Sequence, residues 1–259
     1  MRTRLLLLVM LALPAAPALA DERDFCANRP GIGTPACTLA PGSAMLETGV
    51  GEWDHARDAS GTEDSTTLGQ FLLRVGVSDS AEVQLGLDSY TLDRSFDRAG
   101  HLVARSSEVG NAFFAVRRGL AGPNGPVAVE GVVSAPANDT HQWTAGLLLP
   151  AGIDLPANFQ LALTPEADLA PDADRHGRHL AYGGVVGLSH ALATDLTAGG
   201  ELAAFEDADP AGHSLDARLS GSLAWQVSPR LQVDFEADVG LSAGAPDTAV
   251  MIGLADRFR

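Results

Sequence analysis

The side chains in this sequence best placed to do chemistry are carboxylates set two residues apart. Asp234, Glu236 and Asp238 alternate with Val233, Phe235, Ala237 and Val239. An extended chain points successive side chains to opposite faces, so all three acids share one face. Other apolar stretches carry Glu82, Asp88, Glu130, Glu166, Glu201 and Asp216 in the same way, with Arg74, Arg117 and Arg218 as counter-charges. Rings of acids around an aqueous path select ions by sign and favour cations. Acids on a wet wall can equally do no more than hydrate it and cross-pair between strands.

The elements that must position these acids are β-strands. Leu215, Ala217, Leu219, Gly221, Leu223, Trp225 and Val227 form one small or apolar face, and after Ser228-Pro229-Arg230 the pattern resumes at Leu231. A period of two on both sides of a short turn predicts a hairpin with one oily and one ionised face. Each arm keeps the alternation for about eleven residues, the length a tilted membrane-spanning strand needs and about twice the usual strand of a soluble domain. Twelve such stretches are expected, at 43–53, 65–77, 81–92, 107–118, 126–135, 141–149, 158–168, 178–190, 194–206, 213–227, 230–241 and 248–258.

The connections between them largely alternate in length. Ser78 to Ser80, Gly119 to Gly125, Pro150 to Ala157, Ala191 to Ala193 and Ser228-Pro229 are the turns of one end. Longer charged stretches, His55 to Asp64, Asp93 to Ser106, Leu169 to Gly177 and Asp207 to Gly212, belong to the other. This asymmetry and an even strand number are features of outer-membrane barrels. The expected fold is therefore all-β, an antiparallel up-and-down transmembrane β-barrel of about twelve strands. The alternative is a soluble secreted β-sandwich that binds a partner, and an aromatic content of only 5%, thin for interfacial girdles, weighs on that side.

The ends and the composition narrow the choice. Arg2 and Arg4 precede the apolar run Leu5 to Leu13, and Ala18-Leu19-Ala20 offers a cleavage site, so residues 1–20 read as a signal peptide. Removing them takes Lys+Arg from 17 to 15 against 33 Asp+Glu, a net charge of -18, which argues against nucleic acid as a partner. Cys26 and Cys37, the only cysteines, are expected to form one local disulfide in an oxidising compartment. Around them, residues 21–41 are Pro- and Gly-rich without periodicity and read as an irregular periplasmic segment ahead of a barrel over 42–259.

Other chemistries are weaker. Asp172, Asp174, His176 and His179, and separately Glu206, Asp207 and Asp209, offer metal ligands without a full ligand spacing. No metal site or cofactor is assigned; acidic external loops bridged by divalent ions to lipopolysaccharide are the simpler reading. Ser189 and His190, with His141, are the raw material for a hydrolase, but adjacent strand residues point to opposite faces and cannot share a proton. No enzyme is expected.

Cys26-Ala27-Asn28-Arg29-Pro30-Gly31, Pro35, Cys37, Pro41-Gly42 and Glu47-Thr48-Gly49 come in an order that resembles the mature N-terminus of a bacterial outer-membrane transporter family labelled for the meta-pathway of phenol degradation. Arg74 to Val77 leading to Glu82 to Gly86, Pro150 after Leu147 to Leu149, and Asp238 to Leu241 with Pro246-Asp247, Gly253-Leu254 and Arg257-Phe258 extend the resemblance over most of the chain. It departs from outer-membrane barrels in ending on Arg259 rather than an aromatic residue. The resemblance implies an outer-membrane protein moving small, aromatic or hydrophobic compounds, with outer-membrane lipid and lipopolysaccharide as its surroundings. A structural barrel that transports nothing is the alternative within the same fold.

Overall fold

The computed structural model describes residues 23–122, 125–139 and 142–258. The expected signal peptide, His141 and Arg259 lie outside the described residues. Extended segments run in the order β1 (Ala44–Arg57), β2 (Gly61–Ser78), β3 (Ala81–Asp97), β4 (Leu102–Glu108), β5 (Asn111–Gly119), β6 (Ala128–Pro136) and β7 (Thr144–Leu148). They continue with β8 (Ala151–Leu155), β9 (Phe159–Pro171), β10 (Arg178–Ala191), β11 (Leu196–Asp207), β12 (Ser214–Gln226), β13 (Leu231–Gly240) and β14 (Thr248–Phe258). Both β4 and β5 pair with β3, and both β7 and β8 pair with β9, so these segments build twelve barrel strands.

Neighbouring strands pair antiparallel, and β14 pairs with β1 from Phe258 opposite Ala44 to Thr248 opposite His55, which closes the sheet. Closure matters because a backbone group without a partner costs several kcal/mol in hydrocarbon, roughly. The exterior suits that solvent. On β12 Leu219, Leu223 and Trp225 are 53%, 45% and 51% exposed, and Phe235 and Val239 beside them on β13 are 46% and 52% exposed. Besides Phe71, Phe114 and Phe235, the outward aromatics include two groups at different heights. Trp225, Phe159 and Phe258 lie near the short-turn end, and Trp53, Tyr90 and Tyr182 lie toward the other, all facing outward.

Several connections read as loops are strand. The β1–β2 ladder continues to Arg57 opposite Thr62, the β2–β3 ladder to Gly61 opposite Asp97, and the β9–β10 ladder to Pro171 opposite Arg178. Their polar residues pair across the ladder: His55 Nδ1 lies 2.8 Å from Asp64, Ser65 Oγ donates to Asp93 at 2.8 Å, and the Thr67 and Thr91 hydroxyls are 3.1 Å apart. Cross-strand pairs of this kind hold a hairpin together beyond the apolar band. The expected turn from Pro150 to Ala157 also resolves differently. Pro150 lacks an N–H and interrupts the ladder, yet the outward phase of Leu147 and Leu149 continues through Ile153 and Leu155 of β8.

Candidate functional site

The inside of the barrel is polar, and a stretch of unstructured backbone can enter it only if its N–H and C=O groups find partners. Residues 23–41 contain no strand and run inside the lumen, where the inward carboxylates accept their amides. Asn28 and Arg29 donate backbone N–H groups to Glu47, at 2.9 to 3.0 Å. Gly31 donates to Glu236 at 2.8 Å, Ile32 and Gly33 to Glu201 at 2.5 and 3.2 Å, and Leu39 to Glu82 at 2.8 Å. Thr164 Oγ1 both accepts from the Thr34 amide and donates to its carbonyl. These partners come from β1, β3, β9, β11 and β13, so the segment crosses the lumen rather than lying on one wall.

Arginines take the carbonyls. Arg74 donates to the Cys26 carbonyl at 2.7 Å and Arg117 to the Cys37 carbonyl at 3.3 Å. Cys26 and Cys37 form a disulfide, so one short covalent loop is held from both its ends. Behind it the same arginines complete an ionic chain along the wall. Arg74 bridges Glu47 (3.1 Å) and Glu82 (2.8 Å), and Arg117 bridges Glu82 (3.5 Å) and Glu130 (2.6 Å). Gln84 donates to Glu82 and Glu130 from between them, and both guanidiniums are fully buried.

Space for the segment comes from small residues. A side chain at Gly76 would collide with the Ala40 carbonyl, and one at Gly253 with the Arg29 guanidinium, which ion-pairs with Asp234 at 3.3 Å. At the short-turn end Leu39 packs with Met45 and Ala255, against which Phe25 and Ala27 lie, a small apolar seal. Arg257 and Gln232 donate to the Arg23 and Arg29 carbonyls from the wall.

All twelve charged residues singled out from the sequence point inward, and eleven of them fall into two groups. Arg74, Glu82, Arg117, Glu130, Glu201, Asp234 and Glu236 bind the N-terminal segment or the ionic chain behind it. Asp88, Asp216, Arg218 and Asp238 lie farther toward the loops, where Arg218 engages Asp216 in a two-pronged pair. Glu166 lies on β9 at the same height as Leu148. Sequence reasoning missed Glu47 and Glu52, both on β1. A bulge between Gly49 and Gly51 shifts the phase of that strand, which hides Glu52 from a period-two reading.

Two cavities flank the segment. One of about 320 Å³ lies between Arg29, Gly31 and Ile32 of the segment and Glu52, Asp88 and Asp238 of the wall. Another of about 190 Å³ runs beside Gly33 and Thr34 along Ala162, Gly187 and Ser189.

The remaining candidates resolve plainly. Ser189 borders that second cavity while the His190 ring stacks on Phe159 at 4.3 Å, so the two lie on opposite faces of β10 and share no proton. The two separate metal-ligand clusters converge at one place. His179 Nδ1 is 2.9 Å from Asp172 and 3.6 Å from Asp209, and Nε2 is 2.5 Å from Asp207. Asp172, His179 and Asp209 could present one ligand atom each to a divalent cation. Asp209 is already engaged, accepting the amides of Ala211 (2.6 Å) and Ala173 (2.7 Å), and these bonds hold its carboxyl below the usual range. The cluster works as a latch between the loops 172–177 and 208–213.

A closed twelve-stranded barrel with an occupied lumen can be set beside known folds. The chain is similar in fold to an outer membrane channel. That structure is the COG4313 outer membrane channel from Pseudomonas putida F1, matched with a TM-score of 0.65 at 13% identity over 88% of this chain and 99% of that one. The translocator domain of the autotransporter NalP from Neisseria meningitidis matches at 0.55 and 13% identity, over 84% of this chain and 88% of the other. The KdgM porin in complex with disordered oligogalacturonate matches at 0.51 and 10% identity, over 84% and 99%. No family model and no curated protein matches the chain.

Proposed function

We propose that this protein is an outer-membrane channel for small molecules whose lumen is closed, in the conformation described, by its own N-terminal segment. The observation that carries this reading is the pairing of an apolar exterior with a polar lumen. That lumen is blocked by a segment without regular structure, and cavities remain on either side of it. Apart from its own chain connection and the small apolar seal around Leu39, hydrogen bonds and ion pairs hold the segment to the wall, and these can be exchanged for water. The sequence of the N-terminus supports export through a cleaved signal peptide, and the barrel fold supports residence in the outer membrane. Aromatic or hydrophobic cargo is supported by the motif order alone.

The test is conductance across a planar bilayer of the full mature chain and of a chain lacking residues 23–41. The shortened barrel is expected to conduct in larger and longer steps. Equal conductance in the two, or none in either, would reject the reading and leave a structural barrel. Neutralising Asp234, Glu236 and Asp238 together is expected to lower the cation-to-anion permeability ratio, because inward carboxylates set the sign of the field in the lumen. An unchanged ratio would remove cation preference from the proposal.

A further inference from the structure

The cavity above the N-terminal segment has walls of two kinds. Register alone places Glu236 of β13, Met251 of β14 and Glu52 of β1 side by side, and one step farther along the strands Asp238 lies beside Ala249. An apolar strip is thus flanked by acids. Phe113 of β5 closes the facing wall, its ring lying over Gly86, where any side chain would collide with it.

The charges do not balance. Two guanidiniums border the cavity, and each has its own carboxylate, Arg29 with Asp234 and Arg218 with Asp216. Glu47, also on the wall, is matched by Arg74. Among the described residues Glu52 has only the Gln70 amide as a hydrogen-bond donor, at 2.5 Å, and Glu236 only the Gly31 amide and the Ser220 hydroxyl. Asp238 is the extreme case. It is 5% exposed, and its buried Oδ1 has no hydrogen-bond donor among the described residues. A buried carboxylate oxygen without a donor costs free energy unless something supplies a charge or a hydrogen there.

We propose that this cavity is a binding site for a small organic cation, an ammonium group on an apolar body, with Asp238 and Glu52 taking the ammonium and Met251 and Phe113 the body. An ammonium group brings three donors and one positive charge, which is what the acids lack. An aromatic face and a thioether accommodate the rest, the aromatic adding attraction for the cation. A bare divalent ion would satisfy the acids and leave the apolar wall without a purpose. The inference rests on the channel reading for the ligand's route into the lumen, whereas binding itself does not require transport.

The experiment is equilibrium titration of the refolded full mature chain in detergent with 2-phenylethylammonium, with its neutral isostere 2-phenylethanol, and with calcium. Empty micelles serve as the blank. The amine is expected to bind at least about tenfold more tightly than the alcohol, since one tenfold step is the scale of a single charge-assisted contact. Asp238→Asn is expected to bring the two affinities together, and Glu52→Gln to narrow the gap in a barrel where Asp238 is intact. Equal binding of amine and alcohol by the wild type overturns the proposal, as does a preference that survives both substitutions, or calcium binding without amine binding. Amine binding with no conductance would reject the channel and keep the site, and conductance without amine binding would do the reverse.

Discussion

The two halves of the lumen carry the same residue types and treat them in opposite ways. In the half nearer the short turns Arg74 and Arg117 bridge carboxylates, and Glu47, Glu82, Glu201 and Glu236 accept amides from the N-terminal segment. In the half nearer the loops acids outnumber cations around an open cavity, and Asp238 has no donor for its buried oxygen. A lumenal carboxylate is therefore not one kind of site. Its role depends on whether backbone or empty space faces it.

The largest expected effect separates the halves by stability. Arg74→Ala leaves Glu47 and Glu82 buried without their shared cation, and breaking a buried pair from one side costs about 3–5 kcal/mol. Urea unfolding of the refolded barrel should show a loss of that size. Asp238→Asn, which removes a carboxylate whose buried Oδ1 has no hydrogen-bond donor among the described residues, should change stability by less than about 1 kcal/mol. Equal losses from the two substitutions would erase the distinction between a filled and an open half.

A smaller effect probes how the filled half is held. The disulfide joins cysteines eleven positions apart, and the carbonyls at the two ends of this loop are gripped by Arg74 and Arg117. Replacing Cys26 and Cys37 by serine removes a restraint of roughly 2–4 kcal/mol on the freed segment. The barrel should keep its heat-dependent shift in gel migration, while single-channel recordings should show more frequent openings. Unaltered gating would mean that the amide and carbonyl contacts hold the segment without help from the disulfide.

Much of this was legible in the sequence because strand periodicity reports facing directly. Leu215 to Val227 and Leu231 to Leu241 alternate, so their outer and inner faces and the twelve-strand barrel could be read before any coordinates. What was not legible is what the inner face meets. Nothing local to residues 23–41 says that they turn into the lumen, because their partners lie as many as 234 positions away, as with Arg23 and Arg257. Hairpins beyond the apolar band were hidden for another reason. Polar residues such as His55, Asp64 and Asp93 read as loop until the register shows them paired across strands. Likewise the two acidic loop clusters looked incomplete until β10 and its neighbours brought Asp172, Asp207 and Asp209 around His179.

The smallest effect sharpens the comparison at the outer rim, where a carboxylate is satisfied by loop backbone. Asp209 accepts the Ala211 and Ala173 amides, and its carboxyl is held below the usual range by them. A carboxyl depressed by folding contributes stability above its unfolded value of about 3.9, and loses it as the pH falls through the folded value. The amide contacts that Asp209 makes between the loops 172–177 and 208–213 should therefore loosen as the pH falls below about pH 4. Amide hydrogen exchange of Ala173 and Ala211, corrected for the intrinsic pH dependence of exchange, is the measurement. Protection of both amides should fall in acid, and Asp209→Asn should lower it at neutral pH and abolish its dependence on acid. Protection that is the same at pH 6 and pH 3 in the wild type would show that the loops are held by the strands beneath them, with the carboxylate a bystander at the rim.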